Sequence, residues 1–407
     1  MLWDAKVFLF HNTKYSGTAT PLDTIIDEAH AIVVEDRDSE PQQTPRGWAM
    51  LGQHVDDMQF LTTGLQGLDN RILQFVKGEI SVTYACKLTR WHGNKMLGFD
   101  LELNNILRTV HVSAQATYAA LRSRLIASDT VKITPKHIVT EAVYESSPGE
   151  QHELGDPARA AFLERQSLTR SVLGGGIWLS QAYPQIASGI NSMCVNMANP
   201  SDARLAQLRH MFMFLGDTPR GKTFGGVDVS SIMHTATEIK PFTSGMKAGY
   251  YHYFSDASIN VTGGVAMFAG GCIGMVCLRQ HLKSPEAHTS ELVAGGTNIN
   301  QLIPVNGLLQ EIGVRMGLPT HMYFDSKSTV FVASSDAAPK KSVWLTRRNK
   351  VITEAVEYGE MRPIHLCEAD MVADSNTKYV KHITWSRHMH YILNLPGDPP
   401  PRPTSSK

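Results

Sequence analysis

Apolar and polar residues alternate in short blocks through the last third of the chain. Aromatic residues run from Tyr250 to Phe254, and small polar residues with one carboxylate, Asp256, follow them. A second apolar run at 321–324 ends in the same way, at Asp325. Runs of this length and aromatic content predict buried β-strands. Each strand therefore holds a carboxylate at a fixed position near its end.

Two further elements follow from the apolar spacing. Apolar residues recur at helical intervals after Glu291 as far as Ile312, which predicts a helix with one core-facing side. The segments 265–269 and 272–278 are apolar on either side of Gly270-Gly271, which predicts an antiparallel hairpin with these glycines in the turn. Because glycines interrupt this stretch, we read it as a hairpin and not as a membrane span, and we expect no membrane partner.

Carboxylates occur in a regular order on these elements. Asp256 lies on a strand, Glu291 on a helix, Asp325 at a strand end and Asp374 in a segment of helical character. A two-metal phosphodiesterase needs such a set, because carboxylates must hold two divalent ions about 3.5–4 Å apart around a scissile phosphate. Hard oxygen ligands select Mg²⁺ or Mn²⁺. The alternative is that these acids, among the 38 of the chain, are solvated turn and cap residues.

The N-terminal half offers weaker signals. Asp56 and Asp57 stand between two apolar segments within 48–61, as at the tip of a β-hairpin; a solvated turn is the alternative reading. Amphipathic spacing predicts helices over 114–125 and 203–215. A polar loop at 145–157, with Pro148-Gly149, predicts a domain boundary.

Residues 250–393 resemble the ribonuclease H domain of a Ty1/copia-type long-terminal-repeat retrotransposon. The family places its acids in Ser-Asp-Ala, in Glu-Tyr-x-Ala, after a strand, and in Ala-Asp-x-x-Thr-Lys. The matching segments here are Ser255-Asp256-Ala257, Glu291-Leu292-Val293-Ala294, Phe324-Asp325-Ser326 and Ala373-Asp374-Ser375-Asn376-Thr377-Lys378. The resemblance implies that Asp256, Glu291, Asp325 and Asp374 are catalytic metal ligands, with Asp370 as an alternative fourth ligand.

Upstream landmarks resemble the reverse transcriptase of the same family. His54-Val55-Asp56-Asp57 is similar to its Tyr-Val-Asp-Asp hairpin, which implies a metal-binding role for Asp56 and Asp57. The Leu-Gly, Gln-x-x-Tyr and Thr-Pro landmarks follow at Leu97-Gly98, Gln115–Tyr118 and Thr134-Pro135. Residues 183–187 are similar to Arg-Pro-Asp-Ile-Ala, although Tyr183 and Gln185 replace the Arg and the Asp.

The resemblance implies a multidomain α+β or α/β chain. We expect a partial palm with a β-hairpin and helices over 1–140, and a helical thumb or connection region over 150–245. A ribonuclease H-like domain with a five-stranded mixed sheet and helices is expected over 250–393. Residues 394–407 are rich in Pro and Ser, and this composition predicts a disordered tail.

The implied activity is two-metal hydrolysis of the RNA strand of RNA–DNA hybrids. The third palm Asp of the family would lie before Met1, so we expect the chain to be a C-terminal part of a larger pol polyprotein or a truncated copy. RNA-directed DNA polymerase activity is then expected only in a fuller polyprotein, whose other parts are candidate partners. Two departures are Thr289 and Val351, which replace a Glu and a His of the family pattern. The alternative is an inactive relic or co-opted nucleic-acid-binding protein.

Composition adds little to this interpretation. Residues 1–60 hold four basic and ten acidic residues, a net charge of −6, which leaves +6 on the remainder because the whole chain is neutral. Five scattered cysteines predict reduced thiols in an intracellular protein. The family resemblance leaves the compartment open between cytoplasmic virus-like particles and the nucleus. A basic stretch beside Trp344 could bind a phosphate backbone or could form a solvated helix. Its basic residues are Lys340, Lys341, Arg347, Arg348 and Lys350.

Overall fold

The structure is a computed structural model of the 407-residue chain. It describes residues 7–12, 47–54, 57–62, 95–96, 98–104, 107, 109–126, 136–143, 156–195, 197–225, 251–258, 260–280, 286–311, 319–335 and 346–402. The chain divides into two compact units. Unit 1 contains Met1–Leu97 and Leu309–Val314, and unit 2 contains Gly98–Leu308 and Arg315–Lys407.

Unit 1 contains a three-stranded antiparallel sheet in the order β1-β2-β3. Its strands are β1 (Val7–Asn12), β2 (Gly47–His54) and β3 (Asp57–Thr62), and a two-residue strand, β4 (Lys95–Met96), follows. Because His54 pairs with Asp57 across β2 and β3, the predicted hairpin around Asp56 and Asp57 is confirmed.

Unit 2 begins with a run of antiparallel strands and a group of helices. The strands are β5 (Phe99–Asn104), β6 (Thr109–Ser113) and β7 (Lys222–Gly225), and β6 pairs with both others. The helices are α1 (Gln115–Leu125), α2 (Arg159–Leu179), α3 (Ala187–Cys194) and α4 (Asp202–Leu215), with short 3₁₀ turns at Glu141–Val143 and Pro184–Ile186. The predicted helices at 114–125 and 203–215 are therefore confirmed to within a residue.

Aromatic side chains form the centre of this helical group. The Tyr118 ring stacks on Phe212 at a centroid distance of 5.4 Å and meets the edge of Tyr183 at 5.7 Å. The Tyr118 hydroxyl donates to the Gly216 carbonyl oxygen at 2.6 Å, so this buried phenol has a partner, as a buried polar group requires. The apolar face of α1 is thus joined to the C-terminal end of α4.

A five-stranded mixed sheet forms the rest of unit 2. Its strands are β8 (His252–Ser258), β9 (Val261–Phe268), β10 (Gly271–Arg279), β11 (Thr320–Phe324) and β12 (Met361–His365). They lie in the order β10-β9-β8-β11-β12, antiparallel from β10 to β8 and parallel from β8 to β12. The expectation of a five-stranded mixed sheet in a mixed α/β architecture is confirmed.

Helices cover this sheet. They are α5 (Ala287–Glu311), α6 (Lys327–Ala333), α7 (Thr346–Glu357), α8 (Asp374–Thr377) and α9 (His382–Ile392), with a 3₁₀ turn at Glu368–Asp370. On the α8–α9 face, Phe254 of β8 and Tyr323 of β11 stack at a centroid distance of 4.9 Å and belong to one buried apolar cluster. The sheet therefore has a packed core directly beneath its acidic residues.

The turn between β9 and β10 differs by one residue from the prediction. Its two central residues are Ala269 and Gly270, with φ of 49° and 79°, and Gly271 already pairs with Phe268 in the ladder. Positive φ at both positions is typical of a tight hairpin turn. Gly271 allows β7 to approach closely, because a Cβ at this position would overlap the Thr223 carbonyl oxygen of β7.

One expectation for the C-terminal region also needs adjustment. Part of the predicted disordered tail is described, and Arg387 donates to the Pro400 carbonyl oxygen at 2.6 Å. The described part of the predicted palm segment is divided between the units, since residues from Gly98 onward belong to unit 2.

Among the described residues, no helix combines the length and the apolar character that crossing a bilayer requires. The described cysteines are free thiols, namely Cys194, Cys272, Cys277 and Cys367.

Candidate metal centre

Four acidic side chains converge at one edge of the five-stranded sheet. Asp256, Glu291 and Asp374 are 1%, 6% and 2% exposed, whereas Asp325 is only partly buried. One carboxylate oxygen each from Asp256, Asp325 and Asp374 lies within 4.8 Å of the others. The structure therefore brings three of the four predicted acids within the reach of a single ion.

Strand register explains why Asp256 and Asp325 meet. In the parallel pairing of β8 with β11, Phe254 lies opposite Tyr323. Side chains alternate between the faces of a strand, so the residues two positions further on, Asp256 and Asp325, project from the same face. Parallel strands also end at the same edge, which places both carboxylates over the core formed by the stacked rings.

Glu291 reaches the same edge from helix α5. Its Oε1 accepts a hydrogen bond from the Ala257 backbone N–H at 3.1 Å. Two turns further along α5, the Asn298 amide donates to Ser255 Oγ at 2.8 Å and to the Gly263 carbonyl oxygen at 2.9 Å. Because buried hydrogen bonds of this kind fix geometry, α5 cannot slide along β8 and Glu291 stays beside Asp256.

The short helix α8 supplies Asp374 and rests on the β9–β10 hairpin. The Asn376 amide donates to the carbonyl oxygens of Gly264 and Val276, at 3.1 and 3.4 Å. The Thr377 hydroxyl donates to Asp256 Oδ2, and Ser258 Oγ donates to the Thr377 carbonyl oxygen at 2.7 Å. These bonds hold the helix over the end of β8, so Asp374 faces Asp256.

The electrostatics of the group favour a cation. Burial and the charges of Asp256 and Asp325 raise the pKa of Glu291 to about 10. Burial and the charge of Asp256 raise the pKa of Asp374 to about 9, and burial together with Asp256 also raises the pKa of Asp325. Like charges in one buried site disfavour the ionised form of each carboxyl. Without a cation, the cluster consequently retains protons near neutral pH.

Three buried carboxylate oxygens lack hydrogen-bond partners. They are Asp256 Oδ1, Glu291 Oε2 and Asp374 Oδ1. Burial of a carboxylate oxygen without a hydrogen-bond partner costs free energy. Three such oxygens in one group indicate that a bound group, and not another part of the chain, satisfies them. An all-oxygen donor set suits Mg²⁺ or Mn²⁺. The residues present therefore fit the predicted divalent metal.

Lys378 lies beside these acids, although its motif alone gives it no role of its own. Its Nζ lies 3.0 Å from Asp374 Oδ2. Burial disfavours its charged form, but Asp256, Asp374 and Asp325 outweigh burial and raise the pKa of Lys378 above its usual range. The spacing of four residues between an Asp and a following Lys was a usable signal, since such pairs meet on a helix.

Asp370, the alternative fourth ligand, lies elsewhere. It is buried and forms ion pairs with Arg387, at 3.1 Å, and with Arg402. Its carboxylate is thus already neutralised by two guanidinium groups. The structure places Asp374, and not Asp370, with Asp256 and Asp325.

The remaining predicted site residues are described only in part. Asp56 lies outside the described residues, and Asp57 begins β3 with its side chain not described. Lys340 and Lys341 lie outside the described residues, whereas Arg347 and Arg348 are described only as backbone in α7. Lys350 is exposed and pairs with Glu354 at 3.4 Å, as on a solvated helix. Its predicted nucleic-acid contact stays a prediction.

Comparison with protein-family models gives no match, and comparison with curated proteins gives no significant similarity. The functional interpretation accordingly depends on the geometry of the acidic site and on the motifs quoted above.

Proposed function

We propose that residues 250–393 form a ribonuclease H-like domain of the Ty1/copia type, which cleaves the RNA strand of RNA–DNA hybrids. The observation that carries this proposal is the convergence of four acids from β8, α5, the end of β11 and α8. Three of them are close enough to share one ion. The sheet order β10-β9-β8-β11-β12, with its change from antiparallel to parallel pairing at β8, is compatible with this fold.

In this proposal the divalent ions polarise the scissile phosphate and offset the charge that develops on the attacking and leaving oxygens. The chain's own residues would hold those ions in place. Asp256 and Asp325, fixed on adjacent strands, would contribute to both ion positions. Glu291 would bind one ion on the side of the 2′-hydroxyl, and Asp374 would complete the second position. Recognition would depend on backbone shape and on 2′-hydroxyl groups more than on bases.

Cleavage by the full chain tests this proposal. A hybrid with end-labelled RNA is incubated in Mg²⁺ with the wild type, with Asp325→Asn and with Asp398→Asn. Asp325 is the most exposed of the four acids, so its replacement disturbs folding least. Asp398 is exposed and distant in sequence from the motifs, so it provides the matched control.

We expect the wild type and Asp398→Asn to cut the RNA strand and Asp325→Asn to be slower by about 100-fold or more, because a metal ligand contributes several kcal/mol to transition-state stabilisation. A DNA duplex should remain intact. Equal cleavage by Asp325→Asn would overturn the proposal. Hybrid binding without cleavage by the wild type would favour the alternative, a non-cleaving nucleic-acid-binding protein.

A further inference from the structure

Five aromatic rings lie against one another between α4 of the helical group and α9 beside the five-stranded sheet. Their ring centroids are 5.2 Å apart from Tyr379 to His137, 5.8 Å from His137 to His382 and 5.6 Å from His137 to Trp385. Trp385 in turn meets the edge of Phe214 at 5.6 Å. Three separate segments of the chain supply these rings. We call the five residues the aromatic cluster.

Hydrogen bonds fix the central ring of the aromatic cluster. His137 Nδ1 lies 2.8 Å from the Val139 carbonyl oxygen, and its Nε2 lies 3.0 Å from the Val380 carbonyl oxygen. His210 Nε2 lies 2.9 Å from the carbonyl oxygen of His137 itself. Burial lowers the pKa of His137, so its ring is neutral near pH 7. Because this ring is already held in place, a ligand that stacks on the cluster has little side-chain freedom to remove.

Part of the aromatic cluster is open to solvent. Tyr379 is 37% exposed, and His382 is exposed as well, whereas the other three rings are partly buried. Ile383, next to His382 in the sequence, is 56% exposed. A single exposed apolar residue is ordinary on a protein surface, but an exposed ring that packs on further rings offers a preformed surface. Unpaired nucleic-acid bases stack on surfaces of this kind.

The segments that supply the rings carry positive and not negative side chains. Residues 136–140, 203–216 and 375–397 contain no Asp or Glu. Lys136 and Lys381 are exposed, and each directly precedes a histidine of the aromatic cluster. Rings combined with cations bind single-stranded nucleic acid, because the cations attract backbone phosphates while the rings stack on bases. Charge complementarity therefore favours a nucleic-acid strand as the occupant of this surface.

We propose that the aromatic cluster binds unpaired nucleotides of a single-stranded RNA or DNA, with Tyr379 as the exposed stacking surface and Lys381 as a phosphate contact. The choice of nucleic acid rests on the proposed function, since Tyr379 directly follows Lys378, which contacts Asp374 of the acidic site. A strand that extends beyond a bound hybrid would reach the cluster from that site. Because every base has a flat face, binding should show little sequence preference.

Fluorescence anisotropy tests the stacking role in EDTA, without metal ions or cleavage. The full chain is titrated into labelled oligouridine and, separately, into labelled oligothymidine, which distinguishes RNA from DNA as the strand bound. We expect Tyr379→Leu to weaken binding about tenfold, because the loss of one stack between a base and a ring has an effect of this order. Tyr379→Phe, which keeps the ring, should retain binding. The matched control is Tyr358→Leu, since Tyr358 is 78% exposed just after α7 and lies outside the cluster.

Salt dependence tests the phosphate contact separately. Lys381→Met should weaken binding at low salt and reduce the slope of log affinity against log salt by about 0.7, as the loss of one phosphate contact with a single strand does. Tyr379→Leu removes no charge, so it should leave this slope unchanged. An unchanged Tm for both variants shows that the fold is retained.

Equal affinities of Tyr379→Leu and the wild type for both oligonucleotides would overturn the stacking role, and so would an equal weakening by Tyr358→Leu. Failure of the proposed function has a different signature. If the wild type binds oligouridine through Tyr379 but cuts no hybrid, the stacking role stands and the hybrid-cleaving function does not. If the wild type cuts hybrids while Tyr379→Leu leaves oligonucleotide binding unchanged, the cleaving function stands and the stacking role does not.

Discussion

Glu291 combines a structural contact with the metal-binding role that we propose for it. One of its oxygens is tied to the Ala257 backbone, and the other is buried without a partner. The unfolded chain would release this proton near the ordinary pKa of 4.5, whereas in the folded chain the pKa is about 10. A group whose pKa is raised by folding binds more protons in the folded state, so stability falls as pH rises between those two values.

We therefore expect the metal-free wild type to lose stability as pH increases from about 5 to about 9, and Asp374, with a pKa near 9, to add to this loss. The Glu291→Gln variant should lose part of this dependence and should be more stable than the wild type at pH 8.5 in EDTA. Urea unfolding at pH 6 and pH 8.5 measures the effect.

The control for this prediction is the addition of a divalent metal ion to the metal-free protein. Mg²⁺ at pH 8.5 should raise the Tm of the wild type by several degrees, because an ion that binds only the folded state stabilises it, and should raise that of Glu291→Gln less. If Glu291→Gln is destabilised equally at both pH values in EDTA, the folded protein does not raise the pKa of Glu291.

At the residue scale, the sequence identifies the acids but not their surroundings. Asp256, Glu291, Asp325 and Asp374 could be named because each occupies a fixed place in a short motif. The motif alone did not show that Asp370 is neutralised by Arg387 and Arg402, which lie 17 and 32 residues away. Long-range ion pairs leave no local periodicity in a sequence.

The element on which the site most depends is α8, only four residues long. Short helices are not stable alone, so α8 keeps its position through contacts with the β9–β10 hairpin. Gly263 of β9 makes this close approach possible. A Cβ at Gly263 would overlap Thr377 Cγ2 and approach the Ala373 carbonyl oxygen at 3.0 Å.

Gly263→Ala should consequently displace α8, lower the free energy of unfolding by about 1–3 kcal/mol and weaken Mn²⁺ binding. Gly274→Ala is the matched control, because a Cβ at this position of β10 would meet only Ala266 Cβ, at 3.8 Å. Thermal unfolding and Mn²⁺ titration compare the two variants. Equal effects of both substitutions would contradict the role assigned to the contact between Gly263 and α8.

At the element scale, the apolar pattern predicted the β9–β10 hairpin but placed its turn one residue late. Two adjacent glycines were the strongest local turn signal. The structure uses Ala269-Gly270 instead, because Gly271 is needed where β7 passes. Since β7 begins 49 residues before Gly271, no local rule could distinguish a turn glycine from one that permits a close approach.

For unit 2 as a whole, Asp370 joins three separate segments. It lies in the 3₁₀ turn after β12, and it pairs with Arg387 of α9 and with Arg402 near the C-terminus. Loss of one partner leaves buried charges uncompensated, which typically costs about 3–5 kcal/mol. We therefore expect Asp370 to contribute to stability and not to the chemistry of the acidic site.

Asp370→Asn should lower the free energy of unfolding by about 3 kcal/mol while Mn²⁺ affinity and cleavage per folded molecule remain near wild type. Asp374→Asn, in contrast, should abolish cleavage without a comparable loss of stability. Denaturant titrations combined with hybrid cleavage separate the two residues. Loss of Mn²⁺ binding in Asp370→Asn would show that it is a ligand after all.

At the scale of unit 2, hydrogen bonds connect the helical segment to the five-stranded sheet, and the predicted division into two domains between them stays a prediction. Thr223 of β7 donates its N–H to the Leu393 carbonyl oxygen at 3.1 Å, and His137 contacts the Val380 carbonyl oxygen at 3.0 Å. These contacts link residues more than 150 positions apart. The pairing of such distant segments depends on tertiary packing, which the local pattern of a single sequence does not specify.

We expect Asp256, Glu291, Asp325 and Asp374 to form a divalent metal centre. The anomalous scattering of Mn²⁺ in crystals of the full chain grown with MnCl₂ tests this expectation. A peak should lie among the carboxylates of Asp256, Asp325 and Asp374, within bonding distance of their oxygens. Saturating Mn²⁺ with no peak there, or with its strongest peak elsewhere, would show that these acids are not the metal ligands.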